Sequence, residues 1–186
     1  MTNAAQYWDR TELLAMGLAA VGKHVFVSRE ATIVDPERVF IGDMVRIDPF
    51  SLIIAKQPVR IGSHVHIGSS VTLNAVAEIT IGDFSGLSAG TKVFTTDDDY
   101  GGAFLTGPTV DPRFTNITTA PVTLHEHCIV GANSVILPGA VLEQGAAVGA
   151  LSLVKGRLEA WTIYGGSPAR KLKARSRELL AKAAEL

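Results

Sequence analysis

Asp97, Asp98 and Asp99 form the only run of three consecutive acids in this 186-residue chain, and Tyr100, Gly101 and Gly102 follow directly. Carboxylates repel phosphate, attract an ammonium group and accept hydrogen bonds from hydroxyls. Tyr100 and Phe104 add apolar surface on which a ring can rest. Asp98 and Asp99, with Tyr100 and Asn116, are therefore candidate contacts to a ligand bearing amino or hydroxyl groups. A hydrophilic turn ahead of two glycines is the plainer reading of the same residues. Proton transfer near neutral pH is the province of histidine. The chain has five: His24, His64, His66, His125 and His127. His66, within HVHIGSSV, is the candidate base.

The elements that must position these groups announce themselves by repetition. An aliphatic residue followed by Gly and a polar residue recurs every twenty positions, at Val21, Ile41, Ile61 and Ile81. Further aliphatics follow each of these anchors at steps of six, as in Ile47 and Ile53 or Ile67 and Leu73. Beyond an interruption at 94–121 the step of six runs through Leu124, Val130, Ile136, Leu142, Val148 and Val154. The second block thus repeats every eighteen residues, and the first is the same unit with two extra residues at one corner. A period of six suits neither an α-helix nor a long alternating strand. Short strands that turn a corner every six residues do suit it, three to a triangular coil, with Val21, Ile41, Ile61, Ile81, Leu124 and Leu142 stacked as one internal ladder. The residues after the anchors, Gly42-Asp43, Gly82-Asp83 and Ala132-Asn133, are those that tolerate unusual corner geometry. All five histidines then face outward. Cys128 occupies the small inward position four after Leu124 and reads as core.

Three segments result: a capping helix within residues 1–20, a coil domain over 21–160 with an inserted loop at 94–121, and a C-terminal tail and helix over 161–186. The N-terminal helix is predicted over 5–20, with Trp8, Leu13, Leu14 and Leu18 as its apolar side. The C-terminal helix is predicted from about Pro168, a residue suited to a first turn. Between Lys155 and Lys182 eight Lys or Arg face only Glu159 and Glu178, which marks either a solvated face or a phosphate seat. The net charge of −1 speaks against a nucleic-acid partner. No run of about eighteen apolar residues is present, and MTNAAQYWDR lacks a leader pattern, so a cytoplasmic protein without membrane insertion is expected. The single cysteine excludes an internal disulfide.

IGDFSGLSAGTKVF, the loop, VTLHEHCIVGANSVILPGAVLEQGAAVGALSLV and the tail IYGGSPARKLK together resemble the hexapeptide-repeat acyltransferases, above all the sugar acetyltransferases of surface-polysaccharide pathways. The resemblance covers residues 21 to about 170. It implies an all-β solenoid, a left-handed parallel β-helix, assembled as a homotrimer that moves an acetyl group from acetyl-CoA to a hydroxyl or amino group of a sugar or sugar nucleotide. It further implies that Gly131, Ala132, Gly149, Ala150 and Ser152 approach the pantetheine arm, and that Lys155, Arg170 and Lys171 face the phosphates. The galactoside and maltose enzymes carry a loop histidine and a partner asparagine; those positions fall on Asp98 and near Gly68 here, a departure from the pattern. Relatives from polysaccharide pathways instead place a histidine before the middle strand beside an Asp-Asp-Tyr loop, which corresponds to His66. No metal is expected.

Two other readings share the prism. A γ-carbonic-anhydrase-like enzyme binds zinc through three histidines, for which His64, His66 and His127 are the candidates. A scaffold without enzymatic activity would use the rigid coil for assembly alone.

Overall fold

The computed structural model describes residues 6–186. The coil is a parallel β-helix with three faces, a nine-stranded, a seven-stranded and a six-stranded sheet. Within the seven-stranded sheet Val21, Ile41, Ile61, Ile81, Leu124 and Leu142 pair in that order, each one coil above the last. That is the ladder the spacing predicts. The small inward column four residues further on is also present, as Val65, Ser85, Cys128 and Ala146, all buried. The two extra residues of the early coils sit at the corner between the six- and seven-stranded sheets. There Ile53 and Ile61 are eight positions apart, whereas the later Ile136 and Leu142 are six apart.

The glycines after the anchors answer a different need from the one expected. Left-handed backbone falls two residues later, on Met44 (φ 56°), His64 (φ 56°), Phe84 (φ 56°) and His127 (φ 61°). Gly42, Gly62 and Gly82 are instead required by the passage of the next coil: a Cβ on Gly82 would lie 2.7 Å from the backbone N of Glu126 and C of His125. Beside them, Asp43 and Asp83 accept the backbone N–H of Lys23 and Ser63 one coil below, both at 2.7 Å. The left-handed residues stack their side chains, His64 on Phe84 at 4.6 Å and Phe84 on His127 at 5.1 Å between ring centroids. Such contacts offset the cost of that conformation, about 1–2 kcal/mol per residue. Asn133 (φ 56°) does take the conformation expected of it.

Both ends depart from the sequence expectation for the same reason, the open strand edge of a solenoid. At the N-terminus the helix spans only Arg10–Ala15, capped by Asp9 and Glu12 in a reciprocal box and ended before Gly17 (φ 91°). Tyr7–Trp8 joins the nine-stranded sheet as an antiparallel strand against Phe26–Ser28. Leu13 and Leu18 are buried, but Leu14 is exposed. The N-terminal residues 1–5 of the expected capping segment lie outside the described residues. At the other end the predicted helix is replaced by strand Arg170–Ala174, antiparallel to Thr162–Gly165, and a short helix Leu179–Ala183. The strand covers the C-terminal edge of the nine-stranded sheet, a gain that a helix there could not supply.

The close approach at Gly82 yields a stability prediction. Gly82→Ala is expected to lower unfolding free energy by about 1–3 kcal/mol through overpacking against backbone. Gly86→Ala, whose added methyl meets nothing nearer than 4.0 Å, should leave it unchanged. Denaturant melts of the two variants make the comparison.

Candidate functional site

The inserted segment is anchored on the frame at its base, where Thr96–Asp97 and Thr118–Thr119 pair as a small antiparallel ribbon. It arches over the six-stranded sheet and borders an open cavity of about 1090 Å3. The floor is the outward side of that sheet, apolar at Ile54, Phe94, Val135 and Leu153, and the wall carries Asp97, Asp98 and Tyr100. Lys56 and Asn74, which the sequence reading did not single out, also line it. They follow the rule that alternate residues of a strand share a face, and the register of the coil would have named them.

The four expected acceptor contacts divide. Asp98 and Tyr100 border the cavity, and the Asp98 carboxylate accepts the N–H of Gly107 at 3.2 Å. Asp99 turns back into its own loop, accepting N–H groups of Gly101 at 2.9 Å and Phe104 at 3.2 Å. Its carboxylate holds the loop in shape, as Asp does in turns. Asn116 is exposed on the returning limb and is not part of the cavity lining.

His66 stands on a different face. It begins strand His66–Ile67 of the nine-stranded sheet, with its side chain pointing outward and 56% exposed. Its Nε2 lies 2.8 Å from Oδ2 of Asp48, whose Oδ1 is 2.6 Å from Nε of Arg46. Burial alone would raise the Asp48 pKa, but hydrogen bonds from His66 and Arg46 outweigh it and hold the carboxyl below its usual range. Asp48 and His66 share a smaller cavity of about 290 Å3 with Gly68, Ser69 and Ser88. This cavity and the one beneath the loop have no lining residue in common. Sequence reasoning missed Asp48, although a period of twenty stacks Arg46 beside His66 and puts Asp48 two residues along the same side.

Gly131, Ala132, Gly149 and Ala150 lie at the corner between the nine- and six-stranded sheets. Gly131 lets the coils close up there, since a Cβ would meet the Gly149 carbonyl carbon at 2.7 Å. Among the described residues no acceptor in the chain meets the backbone N–H of Ala132 or Ala150. Ser152 is buried, its hydroxyl donating to the Gly149 carbonyl at 2.8 Å and its N–H donating to Ser134 Oγ at 3.1 Å. Its polar groups are thus spent inside the coil. Lys155 and Arg170 are exposed, and Lys171 is tied to Glu159 at 2.5 Å, which raises its pKa. His64 and His127 flank Phe84 in the corner stack, so they do not converge on His66.

The coil region at 121–150 matches the family model described as the hexapeptide repeat of succinyl-transferase. A curated protein of Escherichia coli, described as dTDP-4-amino-4,6-dideoxy-D-glucose acyltransferase, is 34% identical over 175 residues, covering 94% of this chain and 91% of its own. The chain belongs to the hexapeptide-repeat sugar acyltransferases. A solved variant of AntD, an N-acyltransferase from Bacillus cereus in complex with dTDP-4-amino-4,6-dideoxyglucose and coenzyme A, superposes with a TM-score of 0.93 at 39% identity. It covers 97% of this chain and 96% of its own. The acetyltransferase VCA0836 of Vibrio cholerae, in complex with acetyl coenzyme A, shares the fold at 21% identity and a TM-score of 0.61, covering 92% and 80%. Membership of a sugar acyltransferase family overturns both the zinc-enzyme and the scaffold readings. Among the described residues no helix is long and apolar enough to cross a membrane.

In this sugar acyltransferase Cys128 is no nucleophile. Burial pushes its thiol up to about 12, and the Sγ faces the Glu143 carbonyl at 3.2 Å inside the coil. A thiol-specific alkylating reagent at pH 8 should therefore leave the native protein unlabelled and modify it only after unfolding. Rapid labelling of the folded protein would place Cys128 at an accessible site.

Proposed function

We propose that this chain acylates the amino group of a nucleotide-linked amino sugar, using acetyl-CoA, and does so as a homotrimer. The observation that carries the reading is the near full-length similarity to an acyltransferase whose described substrate is a dTDP-linked 4-amino sugar. The chemistry of the large cavity agrees with it. Asp97 and Asp98 favour an ammonium group, and the apolar floor with Tyr100 suits the faces of a deoxysugar. Asp99 keeps the loop shaped around that ligand, and Asn116, exposed on the returning limb outside the cavity lining, is a contact only for a part of the ligand that extends beyond the cavity.

The thioester supplies the acyl group when bound. The bound ammonium first gives one proton to solvent. The neutral amine then attacks the carbonyl carbon, His66 accepts the second proton that the nitrogen sheds as the C–N bond forms, and that proton passes to the sulfur as the C–S bond breaks, so an amide and a free thiol result. The N–H groups of Ala132 and Ala150 along their corner fit the amide oxygens of a pantetheine arm, with Gly131 and Gly149 giving the close approach. Lys155 and Arg170 offer charge to the phosphates. Lys171 adds to them by leaving Glu159, and Ser152 supports the corner from inside.

The placement of the parts supports the trimer reading. His66 and Asp98 stand on separate faces with separate cavities. A base from one subunit meets the acidic loop of another when the nine-stranded sheet of one faces the six-stranded sheet of the next. His66→Ala is expected to lower kcat by about a hundredfold or more, the size of a lost general base. Asp98→Asn should raise the KM for the acceptor. Mixing the two impaired variants and letting subunits exchange should restore part of the activity measured at low acceptor concentration, because some interfaces then carry both native groups. Ordinary turnover by His66→Ala removes it as the base, and no recovery on mixing contradicts a shared site.

A further inference from the structure

We infer that Asp48 is the positioning residue for His66, fixing the hydrogen on Nε2 and leaving the Nδ1 lone pair as the base. The inference rests on the reading of His66 as the proton acceptor. It begins in the register of the coil. Strands Arg46–Ile47 and His66–Ile67 are parallel neighbours with Arg46 opposite His66. Asp48 follows Arg46 by two residues and so projects from the same side of the sheet. Its carboxylate lies 2.8 Å from the imidazole through one oxygen and 2.6 Å from the guanidinium of Arg46 through the other. Each oxygen has its own donor, so rotating the carboxylate breaks a bond. The carboxylate is also the better shielded partner, with 14% of its side chain exposed against 56% for His66.

A fixed anion at Nε2 decides the chemistry of the ring. A neutral imidazole carries one N–H and one lone pair, and the N–H turns to the carboxylate. Asp48 is held ionised, because the bonds from His66 and Arg46 overcome the effect of burial. It therefore serves both forms of the ring, orienting the neutral imidazole and stabilising the imidazolium that forms when a proton is taken. Arg46 is itself steadied, its guanidinium 5.8 Å from the ring of Tyr7 in the N-terminal strand. The small residues Gly68, Ser69 and Ser88 leave open space beside the pair for an incoming group.

The test combines kinetics with side-chain nitrogen NMR on the full chain. Asp48→Asn keeps size and an acceptor oxygen but removes the charge. It is expected to lower kcat by about tenfold or more, with the KM values for both substrates within about twofold and the thermal midpoint retained. In the wild type the neutral His66 ring should show hydrogen on Nε2; in the variant the two tautomers should mix. Adding Asp48→Asn to His66→Ala should cause no further loss. Near-normal kcat in Asp48→Asn beside a crippled His66→Ala overturns the inference and leaves the base reading standing. Ordinary activity in His66→Ala overturns both. A wild-type ring with its hydrogen on Nδ1 overturns the inference without any substitution, even if Asp48→Asn fails to fold.

Discussion

The structure depends on one constraint: each coil must lie on the next at the spacing of hydrogen-bonded strands, about 4.8 Å. The inward aliphatics can be buried only by neighbours above and below, so a coil has no stability alone. Gly42, Gly62 and Gly82 exist because the next coil leaves no room for a Cβ. Asp43 and Asp83 exist because the backbone of the coil below offers N–H groups at the same corner. Once this stacking holds, every outward side chain has a fixed neighbour twenty or eighteen residues away. The Arg46, Asp48 and His66 cluster is a direct product of that register.

The same rigidity decides where function can be added. A frame that repeats without slack accepts an insertion only at a corner, and the loop enters after strand Lys92–Phe94 and returns before Val122–Leu124. It closes its own base with a two-stranded ribbon, so the coil is not disturbed. What results is a division by face. The six-stranded sheet carries the acidic, partly apolar cavity, the nine-stranded sheet carries the imidazole and its carboxylate, and the corner between them holds the backbone N–H groups of Ala132 and Ala150, which find no acceptor among the described residues.

The fold was legible in the sequence to the extent that it is periodic. The ladder from Val21 to Leu142 and the inward place of Cys128 follow from counting. The ends were not legible, because Tyr7–Trp8 and Arg170–Ala174 become strands only through the open edges they cover, and local propensity says nothing of those edges. The loop was legible as an interruption and as a cluster of acids. Its inner division was not, since only the folded loop turns Asp99 back to Gly101 and Phe104 while Asp98 borders the cavity. Asp48 was hidden for a different reason: its significance lies in a neighbour one coil away, and a lone Asp after a short strand carries no mark of that neighbour.

The central claim is that the acidic cavity reads an amine on a nucleotide-linked sugar. The most direct measurement is thiol release from acetyl-CoA with paired acceptors, dTDP-4-amino-4,6-dideoxyglucose beside its 4-hydroxyl counterpart, under identical conditions. The account predicts turnover with the amine and little above background with the alcohol. Equal or faster turnover with the alcohol would contradict it.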